Sequence, residues 1–314
     1  MIRAEDRGRH DNSANQLMSA PTRIGAPRVA VAGATGEVGS RVAQLLAARG
    51  IAQRLPVRAA RRAPRPAHAD VVEIGGYEDR RGMVAALDGI ETFLLIPGHE
   101  TTDRVEAHRA AIEAAVEAGV QRIVQLSFVG AAPDATFTYA RDHWQTEQDL
   151  KASGLDWTIA RMNFYLDVLP QFVLTSGEIA GPAGDGRVAA VARDDVALAL
   201  VGLITGQDHE GKTYELTGPE SLSFRQIAAI MSRSGRHRVH YRPETVDEAV
   251  VSRAHLSATD KEREGWISTY TAVAAGELER ITDDVETLSG EPPMSLAEWL
   301  RAYPFSLVHV GAKL

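Results

Sequence analysis

The chain has 314 residues, 44% of them apolar and 24% charged, which excludes a disordered or fibrous protein and leaves room for two domains or one large one. It has no cysteine, which excludes disulfides, iron–sulfur clusters, thiolate zinc sites and a cysteine nucleophile, and fits a reducing, cytoplasmic setting. The formal net charge of −8 argues against a nucleic-acid partner, and no stretch approaches the ~18 apolar residues of a membrane span.

Residues 1–27 carry charges of both signs and no apolar run, so they read as a disordered N-terminal tail in which Met18 is an alternative start. Residues 28–32 form a short apolar run before a glycine turn, the pattern of a buried strand. Val38, Val42, Leu45 and Leu46 then follow helical spacing up to Gly50. Further strands are expected near 53–58, 70–74, 91–96, 122–127 and 156–160, with helices at about 101–118 and 138–153. Strands alternating with helices of this length predict right-handed crossovers and an α/β fold, a doubly wound parallel Rossmann-like sheet. Pro56 is a tension, because proline cannot donate to a central ladder.

After residue 160 the pattern changes. Strand-like pieces at 187–192, 212–217 and 238–241 lie among helices near 193–205, 223–234, 244–255, 258–278 and 295–302. The expected organisation is a Rossmann domain over 28–160 and a smaller, mostly helical substrate-side lobe over 161–314, not fully separate from it. Asp194 and Asp195 are expected to cap the helix at 193–205, because carboxylates at a helix N-terminus accept its unpaired N–H groups.

Gly33-Ala34-Thr35-Gly36-Glu37-Val38-Gly39 is a G-x-x-G-x-x-G motif. It follows a strand and opens an amphipathic helix, the context that gives such a motif meaning. Glycines let the backbone turn tightly beside a pyrophosphate, and the helix N-terminus offers N–H donors and a positive dipole end. An acidic residue about 20 positions on would bond the ribose 2′-OH of NAD. Here that place holds Arg58, followed by Arg61, Arg62 and Arg65, with no Asp or Glu between Glu37 and Asp70. An arginine fork fits a 2′-phosphate, so NADP(H) is preferred over NAD(H); the alternative is a solvated basic loop.

These residues resemble the NmrA-like branch of the atypical short-chain dehydrogenase/reductase superfamily. The resemblance runs from about residue 28 to 304. It is carried by VAGATGEVGS (31–40), FLLIPG (93–98), RIVQLSFVGA (122–131), HWQTEQDLKASGLDWTIARMNFYLD (143–167), GRVAAVARDDVALAL (186–200) and GKTYELTGPESLSFRQIA (211–228). The chain is similar to the NADPH:quinone oxidoreductases and ergot-alkaloid reductases of that branch. The resemblance implies that Gly33, Thr35, Gly36, Glu37, Val38 and Gly39 line the pyrophosphate, with Arg58 at the 2′-phosphate. It implies that Ile96, Pro97 and Ser127 lie near the ribose and nicotinamide. Asn163, Phe164 and Tyr165 are implied to shape the substrate pocket. One departure follows the third strand: the family often has an acidic residue near the adenine, whereas this chain has Ile74-Gly75-Gly76-Tyr77.

The superfamily's usual acid, a tyrosine in Tyr-x-x-x-Lys, is absent. The four lysines are Lys151, Lys212, Lys261 and Lys313, and the residues four before them are Glu147, Asp208, Ser257 and His309. Ser127, Tyr139 and His143 occupy plausible remnants of the triad, with Tyr139 and His143 on one helix face. The alternative is that Tyr139 is a loop residue and His143 a hydrogen-bonded helix residue. A site without Tyr/Lys is expected to favour quinones, iminium ions or conjugated acceptors over plain ketones, whose alkoxide needs a proton in the transition state. The expected function is an NADPH-dependent oxidoreductase acting on a small molecule. Its rival is a non-catalytic NADP-binding redox sensor. No metal, nucleic-acid or membrane partner is expected, and a homodimer is compatible with the sequence.

Overall fold

The structure is a computed structural model that describes residues 26–98, 103–234 and 237–311. The expected tail lies outside these apart from residues 26 and 27. In chain order the elements are β1 (Val29–Val31), α1 (Glu37–Ala48), β2 (Gln53–Val57), β3 (Ala69–Glu73), α2 (Arg80–Leu87), β4 (Thr92–Leu95) and α3 (Arg104–Glu117). Next come β5 (Arg122–Phe128), α4 (Thr138–Ala152), β6 (Asp156–Met162), β7 (Glu178–Gly181), β8 (Arg187–Val188), α5 (Arg193–Thr205) and β9 (Lys212–Leu216). The chain continues with β10 (Leu222–Ser223), α6 (Phe224–Ser234), β11 (His240–Pro243), α7 (Val246–Arg253), α8 (Asp260–Ala274), α9 (Asp284–Ser289) and α10 (Leu296–Ala302). Among the described residues, no helix is long and apolar enough to cross a membrane.

Seven strands form one parallel sheet in the order β3-β2-β1-β4-β5-β6-β9. This is the doubly wound Rossmann-like fold expected from the alternation. Val38, Val42 and Leu46 of α1 share a buried cluster with Val196, Leu200 and Leu203 of α5 on one face. Met83 and Leu87 of α2, Ile112 of α3 and Leu150 of α4 cover the other. Fully burying one such side chain is worth roughly 1.5–3 kcal/mol.

The sheet does not end at residue 160. Strand β9 pairs with β6 as its seventh member, and α5 packs beside α1, so both sides of residue 160 build the sheet layer. The expected strand at 187–192 shortens to β8. Past Val188 its backbone bonds scatter, Ala189 to Leu278 and Val191 to Phe164, so no single neighbour extends a ladder. Strand β11 pairs with β7, which the sequence pattern had not marked.

Pro56 sits inside β2 without cost. Gln53 donates to the His68 carbonyl and Val57 accepts from Ile74, so the odd-numbered residues of β2 face β3. Pro56 therefore faces β1, whose pairing with β2 stops at Arg54. The missing donor falls where the ladder has ended.

Helix α4 is held to the sheet by a buried carboxylate. Glu147, fully buried, accepts from Ser127 Oγ at 2.6 Å and from Arg161 Nε and Nη2 at 2.8 and 2.6 Å. One side chain thereby ties α4 to β5 and β6. Removing one partner of a buried pair typically costs 3–5 kcal/mol. Arg161 keeps some solvent contact, so Glu147→Ala is expected to lower the unfolding free energy by about 3 kcal/mol. Urea denaturation measures it, and the double change Glu147→Leu with Arg161→Leu should cost less than the single one.

Candidate functional site

In a parallel sheet every strand ends at the same edge, and the strand order reverses here between β1 and β4. A ligand crevice opens at such a reversal. The glycine turn lies at this point. Gly33 has φ 66°, the left-handed region that favours glycine, and its carbonyl accepts from Gly36 N at 2.9 Å. A Cβ on Gly39 would stand 2.3 Å from the Gly33 oxygen, so α1 can pass this closely only with glycine there. A Cβ on Gly36 would meet only that oxygen, at 3.3 Å, and Gly36 has extended dihedrals open to any residue. The protein thus requires glycine at 39, while the space at 36 faces the crevice. No side chain caps α1, which leaves the turn as a cradle for an anion. Thr35 and Glu37 are exposed beside it, and Val38 is buried beneath. The Arg41 guanidinium binds the Glu37 carboxylate at 2.7 Å and holds its pKa below the usual value, which moderates the negative charge at the cradle.

Arg58 follows directly on β2 and is exposed, as are Arg61, Arg62 and Arg65 on the turn beyond it. Glu73 is the acidic group close by, and its carboxylate accepts from Ala60 N at 2.8 Å. The arginines and the glycine turn therefore flank the same end of the β1-β2-β3 half. At the next exit, Asp79 accepts from Gly75 N at 2.8 Å and Gly82 N at 3.0 Å, which closes the turn and caps α2.

Across the reversal, Ile96 and Pro97 leave β4. Tyr77 donates to the Ile96 carbonyl at 2.5 Å, and His108 Nε2 accepts from Gly98 N at 3.0 Å. The sequence reading did not single out His108. A lone histidine in a helix gives no local signal of a backbone partner ten residues earlier.

Ser127, Tyr139 and His143 all lie along the buried face of α4, each with its own surroundings. Ser127 is fully buried and donates its hydroxyl hydrogen bond to Glu147. His143 accepts from Arg104 Nη2 through Nε2 at 3.0 Å. Burial, with Arg104 close by, pushes its pKa well below the usual histidine value, so it is neutral. Tyr139 shares the buried face of α4 with His143 and is 2% exposed. Its phenol end lies against Gly265 of α8, where a Cβ would stand 2.5 Å from the ring. The Arg104 guanidinium approaches the ring face at 6.0 Å from its centre.

Asn163 is fully buried; its amide donates to the Leu278 carbonyl at 3.0 Å and its oxygen accepts from Phe164 N at 2.7 Å. Both polar ends are committed to backbone. Phe164 stands in an aromatic array, 5.9 Å from Phe128, 6.2 Å from Phe137 and 6.2 Å from Phe172 between ring centres. Tyr165 carries the Arg193 guanidinium over its ring at 4.8 Å, and burial raises its phenol pKa.

Asp194 and Asp195 do not cap α5 as expected. Asp167 accepts from Arg193 N at 3.0 Å from outside the helix. Asp194 binds Arg41 Nε at 2.6 Å and the Tyr303 hydroxyl, and Asp195 accepts from Met294 N at 2.8 Å. Burial pushes Asp195 up to about 6. The Asp167 carboxylate takes the helix N–H, while donors on distant segments hold Asp194 and Asp195.

Comparison with known proteins shows the family and the fold. Residues 33–207 match the model of a family described as NAD(P)H-binding. An NAD(P)H azoreductase of Xenophilus azovorans is 29% identical over 88% of this chain and 97% of its own length. An NmrA-like family domain-containing oxidoreductase of Aspergillus flavus is 27% identical over 69% of this chain and 75% of its own. The structure of an NADPH-dependent quinone oxidoreductase from Escherichia coli, complexed with NADPH, superposes with a TM-score of 0.81 at 28% identity, covering 88% of this chain and 99% of that one.

The two glycines should separate experimentally. Gly36→Val is expected to abolish NADPH binding by calorimetry while the melting temperature stays near that of the unmutated protein. Gly39→Val is expected to lower stability itself, by 1–3 kcal/mol or more, because its side chain meets backbone rather than ligand space.

Proposed function

The chain belongs to the NAD(P)H-binding family, and we propose that it is an NADPH-preferring oxidoreductase whose acceptor is a quinone, an iminium ion or another conjugated small molecule. As an NAD(P)H-dependent oxidoreductase it takes its redox chemistry from the cofactor, which supplies a hydride when bound. The chain's own residues bind, orient and exclude water. The glycine turn (Gly33, Thr35, Gly36, Glu37, Val38, Gly39) receives the pyrophosphate. Arg58 receives the 2′-phosphate, with Ile96 and Pro97 on the nicotinamide side. Ser127 lies beneath that side as a positioning group.

The observation that carries the acceptor class is the commitment of the polar groups near the end of β5. Ser127 donates its hydrogen bond to Glu147, and the neutral His143 occupies the place where a lysine would stand. Tyr139 lies with its phenol end on α8. This arrangement favours an acceptor that does not depend on proton delivery to a developing alkoxide. The reduced anion of a quinone resembles a phenolate, whose conjugate acid lies near ~10, so it needs far less acid assistance. Phe164 and Phe172, partly exposed and backed by the buried Phe128 and Phe137, offer aromatic surface that suits a flat conjugated ring. Phe164 and Tyr165 shape that side of the pocket, and Asn163 holds their backbone in place.

The test is NADPH oxidation, followed by loss of dihydronicotinamide absorbance, against quinones, iminium ions, conjugated enones and plain ketones. Turnover confined to plain ketones, or tight NADPH binding without turnover of any acceptor, would overturn the reading.

Two variants sharpen it. A charge-assisted hydrogen bond contributes roughly 1.5–3 kcal/mol, so Arg58→Ala should weaken NADPH about tenfold to a hundredfold and leave NADH nearly unchanged, as read by calorimetry. General acid catalysis typically contributes ~10²–10⁴-fold. Tyr139→Phe is expected to change kcat for a quinone at saturating NADPH by less than about tenfold, below that range.

A further inference from the structure

The Ile96-Pro97-Gly98 turn is held at both ends by side chains that the cofactor motif does not include. Tyr77 Oη donates to the Ile96 carbonyl at 2.5 Å, and His108 Nε2 accepts from Gly98 N–H at 3.0 Å. Pro97 between them has its φ fixed by its ring. We propose that Tyr77 and His108 form a clamp that sets this turn for the nicotinamide half of the dinucleotide, acting as positioning residues for that half alone. The proposal rests on the cofactor reading above.

The placement follows from topology. The glycine turn after β1 and Arg58 after β2 serve the β1-β2-β3 half. Strand β4 begins the other half, across the reversal, so the turn at its end borders the nicotinamide side.

The hydrogen-bond directions follow from the partners. A backbone N–H can only donate, so His108 Nε2 carries the lone pair and its proton sits on Nδ1. Nδ1 lies 3.1 Å from Thr146 Oγ1, which in turn donates to the Asp142 carbonyl at 2.9 Å. Every donor in the chain from Gly98 through α3 to α4 has one acceptor, and the arrangement requires a neutral imidazole. Burial, helped by the Arg104 guanidinium, pushes His108 down to about 3, which keeps it neutral at working pH. On the other side, burial raises the Tyr77 phenol pKa and keeps it in its donor form. The two rings meet edge to face at 5.9 Å, so each braces the other.

The clamp also accounts for the departure Ile74-Gly75-Gly76-Tyr77. Gly76 has φ 149°, which disfavours any side chain, and a Cβ there would lie 2.7 Å from the Glu78 carboxylate. Asp79 holds the Gly75 N–H. This tight turn aims Tyr77 beneath the end of β4. Gly76 thus serves the turn that carries Tyr77 to the end of β4.

The experiment measures binding of two probes, NADPH and adenosine 2′,5′-bisphosphate, to the unmutated protein and to His108→Leu, His108→Gln and Tyr77→Phe. Calorimetry reads both probes, and dihydronicotinamide fluorescence reads NADPH. A lost hydrogen bond of this kind is worth about tenfold in affinity. His108→Leu and Tyr77→Phe are expected to weaken NADPH about tenfold and leave the bisphosphate within about twofold. Glutamine, whose amide oxygen can accept from Gly98, should recover most of the loss. Tyr77→Phe removes a single hydroxyl, so it reports even if His108→Leu fails to fold. Equal weakening of both probes, or unchanged NADPH affinity in Tyr77→Phe, overturns the clamp alone. Unmutated protein that binds neither probe overturns the cofactor reading and the clamp with it.

Discussion

The first turn of α1 passes so close to the preceding turn that a Cβ at Gly39 would lie 2.3 Å from the Gly33 carbonyl oxygen. That approach sets the direction of α1, the helix that covers β1 and packs against α5. It also decides where the uncapped N-terminus of α1 points, into the crevice where the strand order reverses. The cofactor contacts proposed above depend on this one backbone approach. Arg58 reaches the same crevice because β2 is the neighbour of β1, and Ile96 because β4 is the other neighbour.

The parts of the chain that were legible in the sequence are those whose cause is local. An apolar run followed by glycines and an amphipathic helix reads directly as strand, turn and helix. The first six strands of the main sheet follow from that alternation. What was not legible depends on partners far along the chain. Strand β9 becomes a member of the main sheet only because β6 offers an open edge. Asp194 and Asp195 look like helix caps in isolation, yet Arg41 and Met294 claim them across 153 and 99 residues. The tolerance of Pro56 depends on where β1 stops pairing, which no local pattern carries.

The candidate site divides in the same way. The pyrophosphate turn is a contiguous motif, and the arginines after β2 stand out against a chain with few basic clusters. Ser127, Tyr139 and His143 were legible as residue types at suggestive spacings but not as geometry. Spacing places Tyr139 and His143 on one face of α4, and the structure agrees. It does not reveal that Arg104 from α3 occupies His143 or that Glu147 claims Ser127. Tyr77 and His108 had no sequence signal, because each bonds to backbone, and backbone has no residue type.

These commitments bear on how the reaction is assisted. A buried polar group must find a partner or incur its desolvation cost, and Ser127, His143, Glu147 and His108 have found theirs in the scaffold. Glu147 joins α4 to β5 and β6, while Thr146, one residue earlier on α4, bonds His108 and through it reaches the turn after β4. Consecutive residues of one helix thus brace two of the strand exits that border the crevice. Groups fixed in this way hold the surrounding backbone to a narrow range of positions. Orientation of bound partners can lower a barrier by several kcal/mol without any acid. An edge built so rigidly fits the proposed acceptors, which need alignment more than protonation.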